Sequence, residues 1–320
     1  MLSSIFHKQD NVSYGELVVT EKCFFRCKMC MLWKTEKEET PSLDEWKGYI
    51  SSLSSHVKKP FRLGIVGGET LLYPHLAELV RFSSSKGFIP FITTNGYLLD
   101  MQKAKELKDA GLSEIIISLD SLDPNLHDEI RGKKGSFAKV MEAIDNAHSA
   151  GLDVNLIAVV MSLNISGLPE LVIWAQKNSK VRSISFNAVT EPLNSGAGQD
   201  WHAKGEYSYL WPADLAGMEK LIAMKETYTK IGNSERQLVA FRNYFKEPEK
   251  FVIEGNCTMG SSVSVNSEGH MFMCHRKGSF GNIKHDRFKD AWRSGKAKDQ
   301  RRWIIQCRQN CKMLVNCNYS

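Results

Sequence analysis

The chain reads as an α/β protein: a partial six-stranded βα (TIM-like) barrel followed by a small α+β cysteine-rich unit. Three observations carry that reading. From residue 16 onward, short apolar runs alternate with longer amphipathic stretches, the pattern of a parallel sheet built from βαβ units. Five of the eight cysteines fall after residue 255, where that alternation has stopped. A length of 320 residues, 42% hydrophobic and 24% charged, suits one large core plus a smaller appended unit and argues against disorder.

Taken in order, strands are predicted over 16–20, 62–66, 90–93, 115–119, 154–160 and 183–187. Helices are predicted between them over 42–54, 73–86, 100–110, 137–150 and 168–178. Ser42 with Glu45 three residues on forms a capping box, and Gly87, Gly111 and Gly151 stand where left-handed C-caps belong. The resulting organisation is a barrel over 1–190, an aromatic bridge and linking helices over 191–254, and a cysteine-rich unit over 255–320.

Directly after the first strand comes Cys23-Phe24-Phe25-Arg26-Cys27-Lys28-Met29-Cys30, three thiols in eight residues spaced by three and then by two. Such a loop can wrap three corners of a cubane and leave the fourth iron open. A three-cysteine zinc knuckle is the competing reading, but zinc spacings usually pair two CxxC units or add histidines, and this loop has no His. The loop resembles the signature of the radical S-adenosylmethionine (radical SAM) superfamily. That resemblance implies a 4Fe–4S cluster on Cys23, Cys27 and Cys30 whose open iron takes SAM.

Active sites of βα barrels gather at the C-terminal strand ends. After the second strand stands Gly67-Gly68-Glu69-Thr70, similar to the family's GGE motif, which implies that Glu69 and the backbone of Gly67 and Gly68 hold the SAM ammonium. After the third, Thr93-Thr94-Asn95-Gly96 resembles the family's TNG segment, so Thr94 and Asn95 are implied near the cofactor. After the fourth, Ser118-Leu119-Asp120-Ser121 resembles the segment whose Ser and Asp face SAM. All three also make ordinary turns. Arg131 matches an arginine that pairs with the SAM carboxylate, for which a forked guanidinium is suited; the plain alternative is a solvated surface residue. Asn164, after the fifth strand, is a further candidate.

Residues 188–212 break the alternation and carry Trp201, His202, Tyr207, Tyr209 and Trp211. They predict a segment that lines a substrate pocket or anchors the second unit to the barrel. Helices are expected over 213–231 and 234–246. A hairpin with strands at 262–265 and 270–273 then separates Cys257 from Cys274, an amphipathic helix is expected over 288–305, and Cys307, Cys311 and Cys317 close the chain. Cys257-x11-Gly269-x4-Cys274 resembles the opening of the SPASM/twitch extension of radical SAM enzymes; the tail departs from the full pattern. The resemblance implies one auxiliary 4Fe–4S cluster on four of the five thiols. Cys307, one residue out of register, is the candidate spare. Four thiolates also suit a structural zinc.

No apolar run approaches the ~20 residues of a membrane span, and the first ten residues carry no secretory pattern. Eight cysteines then point to metal binding in a reducing, cytoplasmic setting. The formal charge is +6, and residues 276–312 hold twelve Lys or Arg against three Asp. The plain reading is a solvated basic face, and the sharper one is attraction of an anionic substrate such as a nucleotide sugar or RNA. No recognisable RNA-binding module accompanies it, so nucleic acid is not expected as a partner.

The resemblance implies an enzyme that cleaves SAM reductively and abstracts a hydrogen atom from its substrate, fed by a flavodoxin or ferredoxin-type electron donor. A small polar substrate such as a sugar or nucleotide is expected, because about fifteen residues precede the first strand, too few for a leader-peptide domain. A peptide maturase or epimerase is the alternative within the family. The molybdopterin-pathway GTP cyclase is related, but its Gly-Gly tail is absent from Asn318-Tyr319-Ser320. A non-catalytic iron–sulfur carrier or zinc-binding module is the alternative from another class.

Overall fold

In the computed structural model, residues 12–35, 39–198, 200–250, 257–307, 311 and 315–316 are described; Cys317 lies outside them. Six parallel strands, β1 (Tyr14–Thr20), β2 (Phe61–Gly67), β3 (Phe88–Thr94), β4 (Glu114–Ser118), β5 (Asp153–Val160) and β6 (Val181–Ala188), lie side by side in chain order. Between them run α1 (Leu43–Ser54), α2 (Leu76–Ser85), α3 (Met101–Asp109), α4 (Pro124–Arg131), α5 (Ser136–Ser149) and α6 (Leu168–Lys177). Alternate strand residues such as Leu17, Val19, Leu63, Ile65, Leu156 and Ile184 are fully buried. Their neighbours on the other face, including Val18, Val66, Val159 and Asn187, are only half-buried. This period of two is what a sheet covered by helices on one face requires. The Ser42/Glu45 capping box is present at the start of α1.

The sheet does not stop at β1. The C-terminal strand β7 (Ser262–Val265) pairs parallel to β1, with Tyr14 opposite Ser262 and Leu17 opposite Val265. Antiparallel β8 (His270–Phe272) and β9 (Gly281–Asn282) then extend the sheet to nine strands. The opposite edge, β6, is closed by mimicry. Lys230 and Gly232 pair with the backbone of Ile184, and the Asn233 side-chain amide bonds both N–H and C=O of Phe186. The Asn316 amide does the same for Ala188. Unpaired edge groups are thereby covered.

Three elements differ from the sequence reading. The helix expected over 288–305 is two, α9 (Phe288–Arg293) and α10 (Gly295–Gln306), because Ser294 is extended and caps the second through the Ala297 N–H. Of 213–231 only α7 (Ala216–Met224) is helical, and the rest turns back so that Lys230 reaches β6; α8 (Glu235–Lys246) comes next, capped by Ser234. The helix α4 was not anticipated at all. Its signals are Asp123 as N-cap, Pro124 in the first turn and Gly132 in a left-handed C-cap at φ +58°. Among the described residues, no helix is long and apolar enough to cross a membrane.

Candidate active site

The cysteine loop is held by its neighbours on three sides. Gly68 N–H donates to the Thr20 carbonyl and Glu69 N–H to that of Lys22, both at 2.8 Å, so the β2 end zips onto the stretch leading into Cys23. A Cβ at Gly67 would collide with the Thr20 carbonyl oxygen, and one at Gly68 with those of Glu21 and Lys22. Two glycines are therefore required for packing, whatever else they do. From the side, Lys28 N–H donates to the Ile130 carbonyl at the end of α4 (2.9 Å), and the Cys27 thiol to that of Arg131 (3.6 Å). On the third side, Met31 N–H donates to Leu193 O at 2.9 Å. The rings of Phe24 and Phe25 meet Tyr97, just past the Thr94-Asn95-Gly96 turn, edge-on at 5.5 and 5.7 Å.

Glu69 is the hub of the strand ends. It is 1% exposed. Its Oε1 accepts from Leu71 N–H (2.9 Å) and the Thr94 hydroxyl (2.7 Å), and its Oε2 from Asn95 N–H (2.8 Å). A carboxylate has about four lone-pair sites, so one acceptor position is left for an incoming donor. Burial pushes its pKa upward, against the pull of those hydrogen bonds.

Asp120 is fully buried and lies 2.6 Å from Arg131 Nε through Oδ2, a close charge contact without good hydrogen-bond angles. Its Oδ1 accepts from Val159 N–H at 2.9 Å. The Arg131 guanidinium also reaches the Cys27 thiol, so it links Asp120 to the cysteine loop and is not a solvated surface group. Asn164 Nδ2 donates to the carbonyls of Asp120 and Val159, locking the β4 and β5 ends together. Ser118 is buried at the end of β4. The sequence reading missed His127, on the unanticipated α4. It is fully buried, and its Nδ1 accepts from Asp120 N–H at 3.3 Å. Burial, with Arg131 nearby, holds its pKa down at about 4, so the ring is neutral. The structure thus joins Glu69, Thr94 and Asn95 in one network, and Asp120, Arg131, His127, Asn164 and Cys27 in a second.

Burial pushes the Cys23 thiol up to about 12 and raises those of Cys27 and Cys30, with neighbouring thiols adding to the shifts of Cys23 and Cys27. Three partly buried sulfurs, pushed away from the thiolate form by burial, suit a positively charged metal body that would hold them as thiolates. In the C-terminal unit, Cys257 and Cys274 are likewise raised by burial, and Cys274 adds to the shift of Cys257. Cys307 and Cys311 act on both. Cys307 therefore stands in the same group as the other thiols. The seven described cysteines are all free. Among the described residues, no three His, Cys, Asp or Glu converge as a single-ion site would require.

The aromatic bridge packs inward: Trp201 is buried against Trp211, which meets Tyr244 and Phe245 of α8 at 4.9 and 5.3 Å. Tyr209 alone of its aromatics is exposed, with Lys28 of the cysteine loop 5.5 Å above its ring.

Residues 17–175 match the Radical SAM superfamily, and residues 257–318 match SPASM, an iron–sulfur cluster-binding domain. The chain belongs to the radical SAM superfamily of enzymes and carries a C-terminal SPASM domain; iron–sulfur and SAM binding follow from those families. It is 37% identical over 172 residues to the GTP 3',8-cyclase of Rhizobium leguminosarum bv. trifolii, covering 51% of this chain and 48% of that protein. It is 25% identical over 300 residues to the Fe-coproporphyrin III synthase of Methanosarcina barkeri, covering 86% and 72%. The solved structure of native anSMEcpe with bound AdoMet shares the fold at a TM-score of 0.68 and 17% identity, over 95% of this chain and 88% of that one. The chain spans about half the length of the GTP cyclases it matches.

Proposed function

We propose that the protein cleaves SAM reductively and abstracts a hydrogen atom from a small polar substrate such as a sugar or nucleotide. One observation carries this reading: the three-thiol loop, the Glu69 hub and the Asp120–Arg131 pair share the C-terminal ends of β1 to β4, where barrel chemistry is done. Bound by Cys23, Cys27 and Cys30, a 4Fe–4S cluster with an open iron would supply the electron that splits SAM into methionine and a 5'-deoxyadenosyl radical. Glu69 offers its remaining acceptor position to the SAM ammonium. Arg131, already fixed by Asp120, offers a spare N–H to the carboxylate. Thr94 and Asn95 hold Glu69 in place, and Ser118 lies beside Asp120. Cys257, Cys274, Cys307 and Cys311 would hold one auxiliary cluster.

One feature supports a small polar substrate. The relative at 37% identity is named for a nucleotide substrate. The test is anaerobic: reconstituted protein with dithionite and SAM forms 5'-deoxyadenosine, and candidate nucleotides or sugars accelerate it. No 5'-deoxyadenosine from iron-replete protein would overturn the reading.

A further inference from the structure

The stretch 276–302 contains ten Lys or Arg and three Asp, a net +7, more than the +6 of the whole chain. The rest of the molecule is therefore close to neutral, and its positive field originates here. In the structure this stretch is β9, α9, α10 and their turns, running between Cys274 and Cys307. Arg276, Arg287, Lys289, Arg293, Lys296 and Lys298 are exposed. Among the described residues none of these six is in an ion pair; the one pair on this face is Arg302–Asp299. The acids nearby are partly engaged. Asp286 accepts from Asn282 N–H at 2.8 Å, and Glu45, across a groove of about 910 Å³, is held by Ser42. Lys284, Arg287, Lys289 and Arg293 line the groove with His285 and stand against Glu45, Asp286 and the exposed Asp290, while Arg276, Lys296 and Lys298 lie outside it.

We propose that this face docks an acidic one-electron carrier protein, an inference that rests on the reductive chemistry proposed above. That chemistry consumes one electron per SAM cleaved, so a reduced carrier must approach, give up one electron to the iron–sulfur groups and leave oxidised, with no proton moved. A cationic face flanked in sequence by two auxiliary thiols steers an acidic carrier toward the group it reduces. Single-stranded nucleic acid is the other polyanion such a face could take. Its recognition stacks bases on exposed aromatics, and among the described residues none of the exposed large hydrophobic side chains lies in 276–302.

The experiment measures binding of an oxidised flavodoxin, as probe, to the reconstituted enzyme and to R287E/K289E/R293E, by fluorescence anisotropy over a salt series. The expected result is a Kd weakened on the order of 10-fold or more in the variant and, for the native chain, a steep weakening with salt. Dithionite-driven 5'-deoxyadenosine formation and thermal stability stay unchanged, while flavodoxin-driven formation falls. Equal flavodoxin affinity in both proteins overturns the docking site. So does loss of single-stranded RNA binding with flavodoxin binding intact. Absence of dithionite-driven cleavage in both proteins would overturn the function proposed above, while the binding arm still decides the surface.

Discussion

The two cysteine groups are built in opposite ways. Cys23, Cys27 and Cys30 lie within eight residues, and the surrounding fold only has to hold one short loop against the ends of β2 and α4. Cys257, Cys274, Cys307 and Cys311 are spread over more than fifty residues, and only the joining of β7 to β1 and the packing of α10 onto the 257–261 turn bring them into one unit. A local group is set mainly by chain spacing, whereas a dispersed group depends on non-local pairing whose loop-closure entropy must be offset first. The first group should therefore be sensitive to its few docking contacts. The second should be sensitive to anything that loosens the extended sheet.

The sharpest way to break this comparison is to remove the first group. C23A/C27A/C30A should abolish 5'-deoxyadenosine formation and leave about half of an expected eight or so iron; retention of all the iron would show that the loop holds none. Next comes C307A. Its place among the other C-terminal thiols predicts loss of about four iron. Full iron by colorimetric assay would return Cys307 to the role of spare thiol and pass the ligand position to Cys317.

Smaller effects sharpen the account of the first group. A Cβ on Gly132 would collide with the Arg26 carbonyl in the cysteine loop, at a residue already left-handed. G132A should destabilise the barrel by roughly 3 kcal/mol or more and reduce iron loading, well beyond the ~1–2 kcal/mol of left-handed strain alone. G135A, also left-handed but in open space, serves as the control. Equal urea midpoints for the two would deny the docking contact.

The smallest expected effect is a pH slope. His127 faces Arg131, Asp120 and Asp128, and its pKa falls from 6.5 to about 4 on folding. A depressed histidine favours the neutral folded state, so its stabilising share is intact above pH 6.5 and is lost as pH falls toward 4. By pH 5 the loss should reach about 2 kcal/mol. H127Q should flatten that part of the urea-midpoint profile, and an unchanged slope would place its origin elsewhere.

Much of this protein was legible from residues alone. Six strands, five of the barrel helices, the capping box at Ser42 and the cysteine loop all announce themselves through periods, caps and spacings of a few residues, which physics sets locally. The strand-end candidates were legible too, because strand order fixes where a strand ends. The sequence did not reveal what those residues do to one another: that Glu69 is three-quarters occupied by Thr94, Asn95 and Leu71, or that Arg131 is clamped between Asp120 and Cys27. Helix α4 was hidden because eight residues give too short a period to detect beside its turn signals. The parallel pairing of β7 with β1, and the closing of β6 by Asn233 and Asn316, join segments 47 to 248 residues apart. Such pairings are decided by which edges remain open once the core has formed, and no local pattern encodes that.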